Sequence, residues 1–339
     1  MYSRLRPYLF RLAPEQAHAL TLGLLRLVGA LPPLQALIKK MYPAQPKPVE
    51  AFGLDFANPV GLAAGYDKDG LGWRGLACLG FGHIEVGTVT PRPQAGNPAP
   101  RLFRLPEDKA LINRMGFPGR GADFVTRRLT GKRPPGLVVG VNLGINKDTP
   151  LDKAADDYLG MLRVFAPLAD YLAINISSPN TIGLRRLQAR HALQDLLQVL
   201  TTERAVLVSR LGKRLPLLVK IAPDLTDEEL DDVLFVSLEL GVDGLVAANT
   251  TIRRDGLSSP LAQENGGLSG APLNLRCLEL TRQIVSRTQG RLPVVSVGGI
   301  MSPADAQARL DAGALLVQLY TGLVYHGPAL ASRIANGIP

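Results

Sequence analysis

The sequence predicts an α/β fold, a (β/α)8 TIM barrel with a small N-terminal helical extension. Three observations predict it. Eight short, continuously apolar runs follow one another from residue 58 onward. Polar or Gly-rich loops and stretches of helical period separate them. A basic, proline-bounded segment precedes them all. Apolar runs without alternation mark parallel strands covered on both faces, and eight such units suit a closed barrel. A doubly wound sheet shares the alternation and stays open as the rival. The chain has 339 residues, of which 46% are hydrophobic and 20% charged, so it can bury a large core and is not disordered. Its length allows two domains, although barrels of this size are commonly one. The expected division is a helical unit over residues 1–45 and a barrel over 46–339.

The extension reads as two short amphipathic helices. Pro14 suits a first helical position, and Leu20, Leu24, Leu27, Val28 and Leu31 recur on one face. Pro32-Pro33 stops that helix and starts another, with Leu34, Leu37, Ile38 and Met41 on its apolar side and Lys39-Lys40 opposite. Pro43, Pro46 and Pro48 make a stiff linker. Residues 1–50 hold seven basic side chains, Arg4, Arg6, Arg11, Arg26, Lys39, Lys40 and Lys47, against Glu15 and Glu50. Two readings stay open: a helical pair packed on the main domain, or a basic, apolar-faced pair lying on an anionic membrane. Arg26 interrupts the best apolar run, which falls short of the roughly 18 residues a span needs. A signal peptide fits poorly, and the acid-free first 14 residues leave a transit peptide as a minor reading.

Val49–Phe56, with Gly53 in its middle, reads as a hairpin closing the barrel bottom. The strand runs are Val60–Ala63, His83–Val86, Leu137–Val141, Tyr171–Ile176, Leu217–Ile221, Gly244–Ala248, Val294–Val297 and Leu315–Leu319. The clearest helices between them are Asp152–Phe165, His191–Leu211, Thr226–Leu240, Leu273–Thr288 and Pro303–Asp311. Thr226 with Glu229 resembles a capping box, and Ser302-Pro303 a cap followed by a first-turn proline. Pro91–Asn113 is a long insertion after the second strand, with a second hairpin expected from Arg101–Leu105 and Ala110–Arg114. Long loops at the carboxyl ends of strands carry function.

The net charge of +9 implies an anionic partner, whether nucleic acid, membrane surface or phosphorylated ligand. Cys78 and Cys277 are too few for a disulfide framework or a cysteine-bound metal, which suggests a reducing compartment. The strand ends carry Ala64-Gly65-Tyr66-Asp67-Lys68, Gly87-Thr88, Asn142, Asn175 with Ser177 to Asn180, Lys220, Asn249-Thr250, Gly298-Gly299 and Tyr320-Thr321-Gly322. No histidine or carboxylate pair stands among them, so neither a metal site nor a carboxylate hydrolase is expected. Glycines after strands seven and eight let backbone amides approach a phosphate. Gly266 to Gly270 reads as a flexible loop able to add amides. Asn113, Asn175, Asn180 and Asn249 suit a flat, imide-like ring. Lys220 ends a buried strand, where a lone ammonium is costly, so an anion is expected nearby. Lys68 either joins the site or faces solvent.

Asn175-Ile176-Ser177-Ser178-Pro179-Asn180-Thr181, followed by Gly183-Leu184-Arg185, resembles the signature of the dihydroorotate dehydrogenases. Ala63 to Gly70, Gly87 to Pro91, Ile112 to Phe117 and Val297 to Ile300 are similar to further motifs of that family, in the same order along essentially the whole chain. The resemblance implies an FMN-bearing barrel that oxidises dihydroorotate to orotate in pyrimidine synthesis. Ser178 at the catalytic-base position, where the soluble class has cysteine, and the basic helical extension both resemble the membrane-associated, quinone-reducing class. By the same resemblance, Ser178 removes the substrate C5 proton, and Lys220 supports the reduced flavin. Ala64, Gly65, Tyr66, Asp67, Lys68, Thr88, Asn142, Asn175, Ala248, Gly270, Gly299, Tyr320 and Thr321 are implied for FMN. Lys68, Asn113, Arg114, Met115, Gly116, Phe117, Asn175, Asn180, Asn249 and Thr250 are implied for the substrate, and His18, Arg104 and Tyr320 for a quinone tunnel.

The sequence departs from the family pattern at Ala248, Ile182 and Pro118, which bears on loop behaviour and affinity rather than on the reaction. A monomer is expected, peripheral on the cytoplasmic face of a bacterial inner membrane, with no nucleic acid and no obligatory protein partner. A rival flavin barrel, the tRNA dihydrouridine synthases, uses a catalytic cysteine, and neither Cys78 nor Cys277 falls at a strand end. A non-catalytic membrane or nucleic-acid binder would need grouped basic and aromatic residues, yet only 5% of residues are aromatic.

Overall fold

The computed structural model describes residues 2–338. Three helices, not two, open the chain: α1 (Tyr2–Leu9), α2 (Pro14–Ala30) and α3 (Pro32–Met41). The first was missed because it is short, has Pro7 inside and no acidic residue in its first turn. Pro14 and Pro32 begin α2 and α3 as expected. These two helices meet at a 112° bend, and no single helix among the described residues is long and apolar enough to cross a membrane. A hairpin follows, β1 (Val49–Ala51) and β2 (Leu54–Phe56), antiparallel as expected. Its Ala51, Phe52 and Phe56 cluster with Val138, Tyr171, Leu218, Val246 and Leu316 of the barrel strands.

The remainder is the barrel and its crossovers. In order come β3 (Val60–Leu62), α4 (Trp73–Leu76), β4 (His83–Val89), β5 (Leu102–Leu105), β6 (Ala110–Asn113) and α5 (Ala122–Leu129). Next are β7 (Val138–Leu143), α6 (Ala154–Phe165), β8 (Tyr171–Asn175), α7 (Arg190–Leu211), β9 (Leu217–Ile221), α8 (Asp227–Glu239) and β10 (Gly244–Ala247). The chain ends with β11 (Gly267–Gly270), α9 (Asn274–Thr288), β12 (Val294–Val297), α10 (Pro303–Asp311), β13 (Leu316–Leu319), α11 (Thr321–His326) and α12 (Leu330–Gly337).

Eight of these strands close on themselves in the order β3-β4-β7-β8-β9-β10-β12-β13, every pair parallel. The barrel therefore replaces its doubly wound rival. The Thr226–Glu229 capping box is formed in both directions, and Ser302 caps α10 through the Asp305 amide at 3.2 Å. Strand β4 runs three residues past its expected end, to Val89, which carries Thr88 to the barrel mouth.

One expectation is corrected outside the barrel. Gly267–Gly270 is not a free loop but strand β11, paired antiparallel with β6, which in turn pairs with β5. Glycine-rich composition argued for a loop. Ordinary propensity was overridden because Gly266 and Gly267 fit where a Cβ would strike Asn113 O at 2.2 Å and Thr250 Oγ1 at 1.9 Å.

The extension lies against this scaffold by one face only. Leu22 and Leu25 of α2 pack into the core beside α4. The helices approach so closely that a Cβ on Gly75 would sit 2.0 Å from Leu25 O. Polar ties fasten the rest: Tyr2 Oη donates to Val324 O at 2.6 Å, Arg104 Nη1 to Phe10 O and Leu12 O at 3.0 Å each, and Arg101 pairs with Glu15 at 3.0 Å. The other face leaves Leu20, Leu27, Leu31, Leu37 and Met41 exposed. The helical pair is thus packed on the main domain, as the first of the two readings has it.

Candidate active site

A cavity opens at the carboxyl ends of the barrel strands. Four asparagines reach it from different elements: Asn113 from the end of β6, Asn175 from the end of β8, Asn180 from the following loop and Asn249 just beyond β10. Their amides interlock. Asn180 Nδ2 donates to Asn113 Oδ1 at 3.1 Å, and Asn249 Nδ2 donates to Asn175 Oδ1 at 3.2 Å and to Ser177 Oγ at 3.0 Å. Asn175 Nδ2 donates to Thr88 Oγ1 at 2.9 Å and to Asn142 Oδ1 at 3.1 Å. Side-chain amides fixed this way present donors and acceptors at set positions to a flat polar ligand.

Ser178 borders the same cavity, 5% exposed, and its Oγ accepts the Asn180 amide N–H at 3.2 Å. Arg185, quoted above only as part of a motif, anchors this loop. It donates to Ser177 O at 3.1 Å and Thr250 O at 3.0 Å, and pairs with Asp224 at 2.8 Å. Lys220 also faces the cavity and is 5% exposed, with no hydrogen bond among the described residues. Burial pulls its pKa below the usual lysine value, and Glu85 opposes that shift. The anion expected near Lys220 is therefore at least in part a protein carboxylate. Lys68 joins the site rather than facing solvent: it borders the cavity, donates to Gly65 O at 2.7 Å, and burial draws its pKa down to about 8.

Gly298, Gly299, Gly270, Thr321 and Gly322 form one end of the cavity. The first amides of α11, at Thr321 and Gly322, have no intrahelical acceptor by position. Ser269 Oγ and Thr321 Oγ1 lie 2.8 Å apart beside them. Amides, two hydroxyls and closely spaced glycines suit a phosphate, while the asparagines, Thr88 and Lys220 suit the edge of a polar ring. The donor set thus fits a ring-bearing phosphate ester such as a flavin nucleotide.

Most expected site residues meet here: Ala64, Gly65, Lys68, Thr88, Asn113, Met115, Gly116, Phe117, Asn175, Ser178, Asn180, Lys220, Ala248, Asn249, Thr250, Gly270, Gly299, Tyr320 and Thr321. Four do not border it. Tyr66 turns to a second cavity. Asp67 accepts the Leu71 and Gly72 amides, each at 2.8 Å. Asn142 lies beneath Thr88 and Asn175, and Arg114 pairs with Glu264 at 2.6 Å. Sequence reasoning missed Glu85 and Gln318. Each is a polar residue inside an otherwise apolar strand run, and that interruption was the signal available.

The second cavity, about 1230 Å³, lies between the N-terminal helices and the barrel. Leu9, Phe10, Leu24, Leu25, Val28, Ile38 and Leu111 make it apolar, and His18, Arg104 and Tyr320 are its polar fittings. All three tentative tunnel residues therefore meet. Tyr320 borders both cavities, packing edge-on to Tyr66 at 5.8 Å, and Tyr66 to His18 at 5.0 Å. Burial lowers the His18 pKa to about 4, so the ring is neutral near pH 7.

The family model described as dihydroorotate dehydrogenase matches residues 48–339. The chain belongs to the dihydroorotate dehydrogenase family. It is 50% identical to a quinone-type dihydroorotate dehydrogenase of Stenotrophomonas maltophilia (strain K279a), over 100% of this chain and 96% of the relative. A quinone-type enzyme of Roseiflexus sp. (strain RS-1) is also 50% identical, covering 100% of this chain and 93% of its own. A ligand-free dihydroorotate dehydrogenase structure from Eimeria tenella superposes with a TM-score of 0.87 at 41% identity, over 96% of this chain and 93% of that one. The match with these two quinone-type relatives extends through the N-terminal helices, not only the barrel.

Proposed function

We propose that the chain oxidises (S)-dihydroorotate to orotate in pyrimidine synthesis, with FMN as hydride acceptor and a membrane quinone as final electron acceptor. The observation that carries this reading is the pairing of cavities. An amide-lined site with a buried serine and lysine shares Tyr320 with an apolar chamber roofed by the extension.

Bound FMN supplies the acceptor for the hydride leaving C6 of the substrate. Gly270, Gly299, Tyr320 and Thr321 hold its phosphate, and Ala64, Gly65, Thr88, Asn175, Lys220 and Ala248 its ring, with Asn142 and Asp67 acting from behind. Lys220 puts a positive charge where negative charge develops, in a site that excludes water. Asn113, Asn180, Asn249 and Thr250 hold the substrate ring, while Lys68 and the backbone from Arg114 to Phe117 hold its carboxylate side.

Ser178 removes the C5 proton as its own hydroxyl proton passes to solvent water. A serine hydroxyl is a weak base at neutral pH, so the site must favour its more negative form. The Asn180 N–H donated to Oγ does so, and the Arg185 grip on Ser177 O keeps the loop in register. His18 and Arg104 receive the quinone head from the apolar chamber.

Residues 1–45 are then the membrane- and quinone-facing unit and 46–339 the catalytic barrel. We read the chain as a monomer, peripheral on the cytoplasmic face of a bacterial inner membrane, without nucleic acid or an obligatory protein partner; the exposed leucines of α2 and α3 and the basic excess support the contact with an anionic membrane. The dihydrouridine-synthase alternative lacks its catalytic cysteine: Cys78 and Cys277 are both buried, and neither borders the cavity.

The test is Ser178→Ala. Flavin should stay bound while its reduction by dihydroorotate slows by roughly 100-fold or more, the usual worth of a general base. An unchanged rate would remove Ser178 from the role.

A further inference from the structure

Glu85 stands in the middle of a strand whose seven residues are all buried. It borders neither cavity. Its carboxylate is nonetheless fully engaged. Oε1 accepts from Asn142 Nδ2 at 2.7 Å, and Oε2 accepts from Tyr171 Oη at 3.0 Å and from Gln318 Nε2 at 2.9 Å. A buried carboxylate with three donors is a built structure, not an accident of packing.

Two chains of influence run from it to the site. The first is geometric. With Nδ2 donating to Glu85, Asn142 turns its Oδ1 toward Thr88 and Asn175. That oxygen receives Thr88 Oγ1 at 2.6 Å and Asn175 Nδ2 at 3.1 Å. Asn175 is thereby oriented with Oδ1 facing Asn249 and Ser177. One carboxylate thus sets the amide direction of three asparagines in sequence. The second chain is electrostatic. Lys220 is buried without a direct ion pair among the described residues, and the Glu85 charge opposes the lowering of its pKa by burial.

We propose that Glu85 is a positioning residue for the flavin site, holding Lys220 charged and Asn142, Asn175 and Asn249 in their working orientation. This rests on the flavin reading given above.

The titratable groups around the pair support a single controlling charge. His83 on β4 is held neutral by burial, its pKa lowered to about 3, and Tyr171 on β8 is pushed well up by burial and by Glu85 itself. Strand β7 contributes Asn142 and β13 Gln318, neither ionisable, while β3, β10 and β12 carry no titratable side chain. Lys68 borders the same cavity with its pKa lowered to about 8, so the Lys220 break is the one that moves with residue 85.

The experiment is Glu85→Gln in the full chain loaded with FMN, followed by the flavin reduction potential and absorbance spectrum between pH 6 and 10. In the parent protein the potential should follow one slope until Lys220 loses its proton at alkaline pH. In E85Q that break should move at least one pH unit lower, with Glu85→Asp restoring most of it. A break at the parent pH in a folded, yellow E85Q protein would overturn the proposal. If E85Q does not fold, the E85Q/K220Q double variant should, because it removes both buried charges together; a double variant that also fails to fold would overturn the pairing. A parent chain that takes up no FMN would instead sink the flavin reading itself, so the two failures are distinct.

Discussion

At the residue scale, Lys68 makes the clearest claim. Burial lowers its pKa to about 8, so the free enzyme loses this positive charge as pH rises through 8. The substrate is an anion, and kcat/KM reports ionisations of the free enzyme. Its value for dihydroorotate should therefore fall above about pH 8, through KM rather than kcat. Lys68→Met should raise KM about tenfold or more and abolish that alkaline limb; a limb unchanged in the variant would assign it to another group. Lys68 also marks the limit of sequence reading. Its neighbours Gly65 and Asp67 fit a strand-end motif, but which way a long, flexible side chain points depends on Met115, Leu102 and α2, which are distant in sequence. Glu85 was illegible for the opposite reason. A carboxylate inside an apolar strand has a partner by necessity, yet the partners Asn142, Tyr171 and Gln318 come from three other strands.

At the scale of elements, the pairing of α2 with α4 decides whether the second cavity exists. The contact requires Gly75, since a Cβ there would meet Leu25 O at 2.0 Å. Gly75→Ala should push α2 outward and slow reoxidation of the flavin by quinone at least severalfold, leaving reduction by dihydroorotate near the parent rate. Equal loss in both half-reactions would mean that α2 supports the barrel as a whole. Replacing Leu20 and Leu27 by Glu, on the exposed face of α2, should release the protein from anionic liposomes while sparing flavin reduction; retention on the liposomes would locate the membrane face elsewhere. The helices of this face were legible because Pro14 and Pro32 punctuate them and leucines recur at helical spacing. Helix α1 was not, since Pro7 hides it and its ties to the barrel, Tyr2 to Val324 and Arg6 to Tyr325, span more than three hundred residues. Strand β11 was hidden by its glycines, whose reason is the closeness of Asn113 and Thr250.

For the whole molecule, the eight-fold repeat was readable because each parallel strand is buried on both faces and so is mostly apolar rather than alternating. The same burial makes the fold sensitive to acid. His18 and His83 are held neutral, with pKa values lowered from 6.5 to about 4 and about 3. The unfolded chain therefore binds more protons below pH 6.5, and stability falls as pH drops from 6.5 toward 4. Each pKa unit corresponds to about 1.4 kcal/mol, so His18 alone contributes roughly 3 kcal/mol to that loss. Thermal melting across this range should show a steep decline that His18→Leu makes shallower, and a melting temperature independent of pH there would refute the neutral-histidine assignment. The central claim, that one barrel passes electrons from dihydroorotate through a flavin to a quinone beneath its helical roof, is most directly tested by anaerobic stopped-flow absorbance in two mixes. The account predicts that dihydroorotate bleaches the yellow protein, that a quinone analogue then restores the colour, and that NAD does not. A protein that stays colourless after addition of FMN, or whose bound flavin stays oxidised with dihydroorotate, would contradict it.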